Sequence, residues 1–309
     1  MDAGRTVVIT GATGLVGRHV AARFREAGWR VRALSRDPGR ARRVLPGLAA
    51  AEPWDPRHGR LEPAALAGAD AVVHLAGAPV ARRWTARVRE EIRASRVDGT
   101  RLLAERLIDA VPRPPVLVSA SAIGWYGDRG DAVLNEEAPP GEGFLAEVCR
   151  DWETAAGIAA AAGVRTVVLR VGIVLARDGG ALPRMLPAAR LGLGGPLGHG
   201  RQFWSWVHVE DVARLVLWAV ETAGIEGPIN ATAPEPVRQA AFARELGRLL
   251  GRPAFLRTPG PVLRLVLGGF ARELLASARV VPARATRHGF RFAHPGLGAA
   301  LRDLLASPR

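Results

Sequence analysis

Three glycines near the start of the chain, Gly11, Gly14 and Gly17, have the spacing of a phosphate-binding turn. In a G-x-x-G-x-x-G run the first glycine permits a tight turn, and the second lets a pyrophosphate approach the backbone. The third lets the following helix pack closely on the preceding strand. The phosphates would then lie at the positive end of that helix. The spacing therefore predicts a site for a dinucleotide.

The residues around these glycines predict the elements that such a turn requires. Residues 6–10 are mostly apolar and β-branched, which is typical of a strand, and residues 30–34 predict a second strand. Between them a helix is predicted by apolar side chains at helical spacing, namely Leu15, Val16, Val20 and Phe24. Glycine makes up 36 of the 309 residues, so the spacing alone would be weak. The order of strand, turn, helix and strand favours a bound ligand over an empty glycine turn.

The composition limits the class of protein. A length of 309 residues allows one large or two small domains, and 48% hydrophobic residues are enough for a substantial core. The formal charge of +14 would ordinarily suggest nucleic acid as a partner. All 43 basic residues are arginine, however, and they are spread along the chain. Because the sequence has no basic stripe with interleaved aromatic residues, we expect no nucleic-acid partner.

Cysteine usage and hydropathy point to a reducing compartment and to no membrane. Cys149 is the single cysteine, so the sequence excludes an intrachain disulfide and a thiolate metal cluster, and we expect no metal. The short apolar strand before Gly11 does not resemble a signal peptide, and no run approaches about eighteen apolar residues. We therefore expect a cytoplasmic protein without a membrane partner.

The junction after the second predicted strand reads Ser35-Arg36-Asp37-Pro38 and is the place where dinucleotide-binding folds select their cofactor. An acidic residue there binds the adenosine ribose hydroxyls, whereas an arginine accommodates a 2′-phosphate. Ser35 takes the place of the acid, and Arg36 offers a guanidinium that fits phosphate in bidentate geometry. The junction therefore favours NADP(H). Asp37 keeps NAD(H) open, and a solvated Arg36 in an arginine-rich loop is the structural alternative.

Strands and helices alternate through residue 171. The sequence predicts further strands and helices at residues 48–54, 71–77, 85–110, 116–121, 144–162 and 165–171. This alternation predicts an α/β fold with a doubly wound parallel sheet, whose carboxyl edge is where ligands bind. His74 lies inside an apolar strand, and we expect it to be buried and hydrogen bonded rather than a base.

Beyond residue 171 the pattern is looser. Residues 179–200 are rich in glycine, and we expect them to form a mobile segment over the active-site edge. Residues 228–230 are expected to add a seventh strand. Residues 237–250 predict a helix that ends at Gly251, and residues 262–267 predict a short apolar helix.

Several motifs occur in the order found in the extended short-chain dehydrogenase/reductase superfamily, which the chain resembles over nearly its whole length. They are Gly11-x-x-Gly14-x-x-Gly17, Leu75-Ala76-Gly77, Val97-Asp98-Gly99-Thr100, Tyr126-Gly127, Leu169-Arg170-Val171-Gly172 and Val207-His208-Val209-Glu210-Asp211-Val212-Ala213. The resemblance implies a Rossmann-type doubly wound parallel sheet with a smaller C-terminal substrate lobe. His208, Glu210 and Asp211 belong to a motif that resembles a scaffold segment and matches no metal-site spacing, so we expect them to be structural.

Three stretches resemble more narrowly the atypical branch of epimerase-family proteins, some of whose members are called cell-division inhibitors. The stretches are residues 119–127, residues 191–198 and the tail from Pro253 to Leu301. By this resemblance residues 1–232 form an NAD(P)-binding domain. Residues 250–300 would form a small C-terminal domain that is peculiar to the branch.

The resemblance also implies a set of cofactor contacts. The pyrophosphate would be held by Gly11, Thr13, Gly14, Leu15, Val16 and Gly17. Ser35 and Arg36 would bind the 2′-phosphate end, and the adenosine side would lie against Leu75, Ala76 and Gly77. Glu91 and Arg96 look like the cofactor-contacting pair of the branch, with a helix-surface arginine as the alternative for Arg96.

The chain departs from the superfamily at the catalytic pair. Ordinary members use Tyr-x-x-x-Lys, in which the tyrosine moves a proton and the lysine lowers its pKa. Residues 144–150 begin the equivalent helix without a tyrosine, and the chain contains no lysine. Arginine cannot serve as a general base because its pKa lies above about 12. The best candidates for proton transfer are therefore Ser121 and Tyr126, with shaping of the pocket as their alternative role.

These observations lead to three functional hypotheses. The first is an oxidoreductase that moves a hydride between NADP(H) and a small carbonyl or alcohol, by a proton transfer without the Tyr-x-x-x-Lys pair. The second is a catalytically silent NADPH-binding regulator, linked by resemblance to cell division. The third is a nucleotide-sugar epimerase. The sequence names no substrate, and by analogy with extended members we expect a monomer or a homodimer that pairs through residues 85–110 and 144–162.

Overall fold

A seven-stranded parallel sheet forms the centre of the computed structural model, which describes residues 4–306. The strands are β1 (Thr6–Thr10), β2 (Arg30–Ser35), β3 (Ala50–Pro53), β4 (Ala71–His74), β5 (Val116–Ala122), β6 (Val133–Leu134), β7 (Arg165–Val171), β8 (Ile173–Leu175), β9 (Phe203–Trp204), β10 (Trp206–His208), β11 (Gly227–Ala231), β12 (Val237–Arg238) and β13 (Arg279–Val280). The sheet has the order β11, β7, β5, β4, β1, β2, β3. From β1 the chain continues to β2 and β3 on one side of the sheet, and from β4 it continues to β5, β7 and β11 on the other side. The connections that leave β1 and β4 therefore diverge, which opens a crevice at the carboxyl edge.

Helices cover both faces of the sheet. They are α1 (Leu15–Glu26), α2 (Pro38–Val44), α3 (Ala86–Asp109), α4 (Phe144–Ala161), α5 (Leu182–Arg190), α6 (Val209–Glu221), α7 (Gln239–Leu250), α8 (Gly260–Leu267), α9 (Phe270–Leu275), α10 (Ala283–Arg287) and α11 (Leu297–Leu305). On one face α1 packs against α6, and on the other α3 packs against α4. Side chains of β1 alternate between these layers, with Val7 and Ile9 in the core under α1 and Val8 in the core under α3. The predicted doubly wound α/β fold is confirmed.

The segment at residues 179–200 differs from the glycine-rich loop that the sequence predicted. Its middle is α5, whose apolar face joins the core of the C-terminal lobe through Leu182, Met185, Leu186 and Ala189. The glycines lie before and after this helix rather than inside it, so the overall glycine content concealed the apolar stripe.

The C-terminal lobe has a separate hydrophobic core. It contains Trp204 and Trp206, together with Phe242 of α7 and Leu301 of α11. The helix predicted at residues 237–250 begins two residues later, at Gln239, because β12 pairs antiparallel with β9. Within residues 4–306 there is no helix with both the length and the apolar character needed to cross a bilayer.

A buried carboxylate joins this lobe to the sheet domain. Asp211 in the first turn of α6 is 1% exposed, and its two oxygens accept hydrogen bonds from the N–H groups of Ala293 (2.7 Å) and His294 (2.9 Å). Its Oδ1 also accepts a bond from Arg214 at 3.0 Å. The neighbouring Glu210 is exposed and contacts the ring of His294 at 3.1 Å. The structural role expected of Asp211 is therefore visible in its contacts.

We expect Asp211→Ala to lower the free energy of unfolding by about 1–3 kcal/mol, since it removes a buried carboxylate and leaves the N–H groups of Ala293 and His294 without their acceptor. Glu210→Ala removes an exposed carboxylate and should change that free energy by at most about 1 kcal/mol. Urea denaturation of both variants and the wild type measures the difference. Equal effects of the two substitutions would contradict the docking role of Asp211.

A buried relay of hydrogen bonds joins β1, β4 and α3. The Thr10 hydroxyl lies 2.7 Å from Nδ1 of His74 and accepts the N–H groups of Leu75 (3.2 Å) and Ala76 (3.3 Å). Since that oxygen receives two donors, its own proton goes to Nδ1, and Nε2–H of His74 donates to Thr100 at 2.9 Å. His74 is therefore a neutral structural imidazole, as the sequence predicted, and it holds the backbone that follows β4.

The relay makes stability depend on pH. Burial lowers the pKa of His74 to about 3, from 6.5, so the folded state keeps the ring neutral while the unfolded chain protonates below pH 6.5. The stability that the neutral ring contributes is present above pH 6.5 and is lost as the pH falls towards 3. Between pH 7 and pH 5 this linkage should cost the wild type about 2 kcal/mol, as an order of magnitude.

Urea titrations at several pH values test this linkage. We expect the pH slope to be reduced in His74→Asn, because that variant lacks the titrating ring, and to be retained in the control His58→Gln, where the replaced ring is exposed. If the free energy of unfolding of His74→Asn depended on pH as strongly as that of the wild type, the assignment of this dependence to His74 would be contradicted.

Candidate functional site

The glycine turn has the geometry that its spacing predicted. Gly11 has φ +67°, in the left-handed region, and a Cβ on it would lie 2.8 Å from the N of Ala76. A Cβ on Gly17 would collide with the carbonyl oxygen of Gly11. Both positions therefore require glycine, one for its conformation and one for the close approach of α1 to β1.

The start of α1 can accept an anion. Gly14 is the N-cap of the helix and provides no side-chain hydrogen bond, and the first turn contains no acidic residue. The first N–H groups of a helix, here those of Leu15 and Val16, have no partner within the helix. Thr13 is half-buried in the turn just before them. Free N–H groups and the helix dipole together suit a pyrophosphate.

The end of β2 presents an arginine rather than an acid. The Asp37 carboxylate caps α2 by accepting a hydrogen bond from the N–H of Arg40 at 2.8 Å. The Ser35 hydroxyl donates to the carbonyl of Asp37 at 3.0 Å. Arg36 is exposed beyond the strand end. Because Asp37 is committed to the cap, the side chain available to a cofactor ribose is the guanidinium of Arg36.

The backbone after β4 forms the opposite wall of the crevice. Leu75 and Ala76 are held by the hydroxyl of Thr10, as described above. Gly77 packs on the guanidinium of Arg96, whose Cζ lies 3.2 Å from the position of a Cβ on that glycine. The backbone turn after β4 therefore has little free space at Gly77, where the sequence predicted the adenosine side of the cofactor.

Glu91 and Arg96 support this wall from α3. Arg96 donates to the carbonyl of Ala78 at 3.0 Å and lies 5.1 Å from the ring of Trp152, and burial lowers its pKa. Glu91 accepts hydrogen bonds from Arg82 (2.7 Å) and Arg57 (3.2 Å). The bond from Arg82 is the largest cause of the lowered pKa of Glu91. Both side chains thus hold the loop after β4, and direct contact with a cofactor stays a prediction.

Ser121 and Tyr126 lie on the carboxyl edge, but their hydroxyls are engaged by protein partners. Ser121 Oγ donates to Glu153 at 2.7 Å. Tyr126 is fully buried, and its hydroxyl donates to Asn230 at 2.7 Å and accepts a bond from Arg170 at 3.0 Å. Burial is the largest influence on the Tyr126 pKa and raises it. Their predicted role in proton transfer is untested, and these contacts favour the alternative of shaping the site.

A buried ion pair organises this part of the edge. Arg170 and Glu153 form two hydrogen bonds of 2.9 Å, and their side chains are 3% and 13% exposed. The guanidinium of Arg170 also lies 3.9 Å from the ring of Trp125. Sequence reasoning missed both residues as site components. The usable signal was an arginine inside the apolar strand β7, since a buried guanidinium requires a carboxylate partner.

The start of α4, where the superfamily has its Tyr-x-x-x-Lys pair, is apolar. The ring of Phe144 packs edge-on against Trp84, with centroids 5.1 Å apart. Burial raises the pKa of the Cys149 thiol to about 12, so that thiol is neutral and unreactive. The sulfur lies 3.6 Å from the carbonyl of Ala122.

Two histidines and an aspartate lie close together at the start of α6. Ligand atoms of His208, His294 and Asp303 fall within 4.8 Å of one another. Nδ1 of His208 accepts the N–H of Glu210 at 3.2 Å, so the neutral ring carries its proton on Nε2, which faces Asp303 at 3.3 Å. A protonated Nε2 has no lone pair for a metal. This tautomer favours the structural role that the sequence predicted.

Two family models match the chain. Residues 7–231 match the NAD dependent epimerase/dehydratase family, and residues 258–304 match a domain of unknown function, DUF1731. The second range includes α8, α9, α10 and most of α11. The last helices of the C-terminal lobe therefore belong to the domain whose function is unknown.

Several known proteins are similar to nearly the whole of this chain. The epimerase family protein SDR39U1 homolog, chloroplastic, of Arabidopsis thaliana is 39% identical over 308 residues, which cover 97% of this chain and 86% of that protein. A crystal structure of the human epimerase family protein SDR39U1 with NADPH is 34% identical, with a TM-score of 0.88 and coverage of 97% and 98%. A nucleoside-diphosphate sugar epimerase from Corynebacterium glutamicum is 37% identical, with a TM-score of 0.79, and the match covers 98% of this chain and 58% of that one.

The family model spans most of the chain, and the fold matches that of the human relative over nearly the whole of both chains. The chain belongs to the NAD dependent epimerase/dehydratase family, in the branch that carries a C-terminal DUF1731 domain.

Proposed function

We propose that this protein is an NADP(H)-dependent oxidoreductase that acts on a small carbonyl or alcohol. The observation that carries the proposal is the pairing of an uncapped α1 beside the glycine turn with an exposed Arg36 at the end of β2. The first is built for a pyrophosphate and the second for a 2′-phosphate. The human relative that was crystallised with NADPH supports the same cofactor.

The positions of these residues define the orientation in which the cofactor would bind. The N–H groups of Leu15 and Val16 would hold the pyrophosphate, and Arg36 with Ser35 would hold the 2′-phosphate. Because these groups bind one end over β1 and β2, the nicotinamide end would extend over β4 and β5. When bound, NADPH supplies a hydride there. Leu75, Ala76 and Gly77 would line the passage between the two ends.

A catalytically silent NADPH-binding protein is the second candidate. It is favoured by the apolar start of α4 and by the engagement of the Ser121 and Tyr126 hydroxyls in the protein's own hydrogen bonds. A nucleotide-sugar epimerase is third, since it would also need a base beside the nicotinamide.

We also propose a cytoplasmic location, and a monomer or a homodimer that pairs through α3 and α4.

Replacing the 2′-phosphate ligand tests the cofactor assignment. In calorimetric titrations, Arg36→Ala should weaken NADPH binding by about 1–3 kcal/mol, because it removes a charge-assisted contact. NADH binding should be unchanged, since NADH lacks the 2′-phosphate. The control Arg101→Ala removes an exposed guanidinium from α3 and should leave both affinities as in the wild type.

Two results would contradict the proposal. A wild type that binds neither nucleotide would leave the fold without a cofactor role. Equal affinity for NADPH and NADH, unaffected by Arg36→Ala, would assign the site to a cofactor without a 2′-phosphate.

A further inference from the structure

A cavity of about 470 Å³ lies where α7 and the loop at residues 199–201 meet the segment that follows β5. Its charged lining consists of Asp131, His199, Arg201, Arg238 and Arg244. Asp131 is the acidic side chain among them. None of these residues belongs to the glycine turn, to the end of β2 or to the turn after β4, so the candidate cofactor site does not account for them.

The loop at residues 199–201 is fixed against α7 by backbone contacts. The carbonyl of Gly200 accepts the N–H of Ala240 at 2.9 Å. Gly200 has φ +68°, and a Cβ on it would lie 2.9 Å from the Cβ of Ala240, so this close contact requires glycine. The carbonyl of Arg201 accepts a hydrogen bond from the guanidinium of Arg238. The backbone on both sides of Gly200 is therefore held in place relative to the arginines of α7.

Several guanidinium groups act on the one carboxylate of the cavity. Both oxygens of Asp131 accept hydrogen bonds of 2.7 Å from Arg238. The bond from Arg238 is the largest cause of the lowered pKa of Asp131, and the charges of Arg279 and Arg201 lower that pKa further. The ring of Phe203 lies 4.0 Å from the Cζ of Arg238 and 5.0 Å from the Cζ of Arg279. Positive charge is therefore in excess at this place, and part of it is held by an aromatic ring.

Two guanidinium groups and one imidazole of the lining are available to a ligand. In the described part of the chain the side chains of Arg201 and Arg244 are exposed and form no ion pair. Glu245, which follows Arg244, pairs with Arg248 at 2.7 Å instead. Nδ1 of His199 accepts the N–H of Arg201 at 3.0 Å, so the neutral ring carries its proton on Nε2. The cavity therefore offers two forked donors and one ring N–H.

These donors match the chemistry of a phosphate group. A guanidinium can bind two phosphate oxygens in bidentate geometry. A phosphate group has three strong acceptor oxygens, so it can use two guanidinium groups and an N–H together, whereas a carboxylate has two oxygens. A phosphate dianion would also reduce the repulsion among guanidinium groups that share a single carboxylate. The volume of the cavity leaves room for a small organic group attached to the phosphate.

We propose that this cavity is a binding site for a phosphate group, which is held by the guanidinium groups of Arg201 and Arg244 and by the Nε2–H of His199. The ion pair of Asp131 and Arg238 forms the adjoining wall and fixes the backbone of the loop. Free phosphate and a phosphate monoester share this chemistry, and their relative affinities distinguish the two sources. The inference is independent of the proposed oxidoreductase function, because it uses no residue of the cofactor site.

Calorimetric titrations with inorganic phosphate, ribose 5-phosphate and ribose test the site at constant ionic strength. The wild type should bind phosphate saturably and should not bind ribose. Affinity for phosphate should fall about tenfold or more in the double variant Arg201→Ala/Arg244→Ala, because it removes both charge-assisted contacts. Tighter binding of ribose 5-phosphate than of inorganic phosphate would assign the site to a monoester, and any other order would assign it to free phosphate.

Two further double variants complete the experiment. The matched control Arg101→Ala/Arg287→Ala removes two exposed guanidinium groups from α3 and α10 and lowers the net charge equally. It should keep the phosphate affinity of the wild type. Arg201→Gln/Arg244→Gln retains polar side chains and provides the test if the double alanine variant fails to fold.

Three results would overturn the inference. The first is the absence of saturable phosphate binding by the wild type, and the second is an equal loss of affinity in the control Arg101→Ala/Arg287→Ala. The third is a loss of phosphate binding in Arg36→Ala but not in Arg201→Ala/Arg244→Ala, which would place the phosphate in the cofactor site. A wild type that binds phosphate but no NADPH would contradict the proposed function and leave this inference intact.

Discussion

The buried ion pair between Arg170 and Glu153 is the interaction on which the carboxyl edge depends. It joins α4 to β7, and its partners extend the network to Ser121 on β5 and, through Tyr126, to Asn230 on β11. Removal of one partner from such a pair leaves an uncompensated buried charge, which typically costs about 3–5 kcal/mol. The pair therefore stabilises one arrangement of three strand ends and the helix that covers them.

This arrangement has a consequence for the chemistry of the edge. The hydroxyls of Ser121 and Tyr126 complete the hydrogen bonds of the ion pair and of Asn230, so each has a structural task. α4 contributes Phe144 and a neutral Cys149 where the superfamily has its proton-transfer pair. A proton donor for hydride transfer would therefore have to be a group other than these two hydroxyls and the side chains at the start of α4.

Local patterns in the sequence were enough to predict the fold, and they indicated candidate residues for the cofactor end of the site. The left-handed backbone of Gly11 and the close approach of Gly17 to Gly11 are local features, and Arg36 lies directly at a strand end, so short-range reasoning reaches these residues. The contact of Gly11 with Ala76 is long-range. The long-range partners could not be derived in this way. Nothing near Arg170 in sequence identifies Glu153. The C-terminal lobe docks through the contacts of Asp211 with Ala293 and His294, which are 82 and 83 residues away in the sequence.

The residues that the family resemblance suggested show the same limit. Glu91 and Arg96 lie on the helix where they were expected, but their charges face Arg82 and the carbonyl of Ala78 rather than open crevice. The helix α5 was missed because its apolar stripe is flanked by glycines. The positions of Glu91 and Arg96 on a helix were predicted from the sequence, but their contacts depend on the packing of the loop after β4. The apolar face of α5 likewise depends on the packing of the C-terminal lobe.

The central claim is that one cofactor lies across the edge from Arg36 at the end of β2 to the ends of β4 and β5. A crystal structure of the protein with NADPH tests it most directly. The account predicts a pyrophosphate on the N–H groups of Leu15 and Val16, a 2′-phosphate on Arg36, and a nicotinamide ring over the ends of β4 and β5. A cofactor whose nicotinamide lies elsewhere, or whose 2′-phosphate has no contact with Arg36, would contradict it.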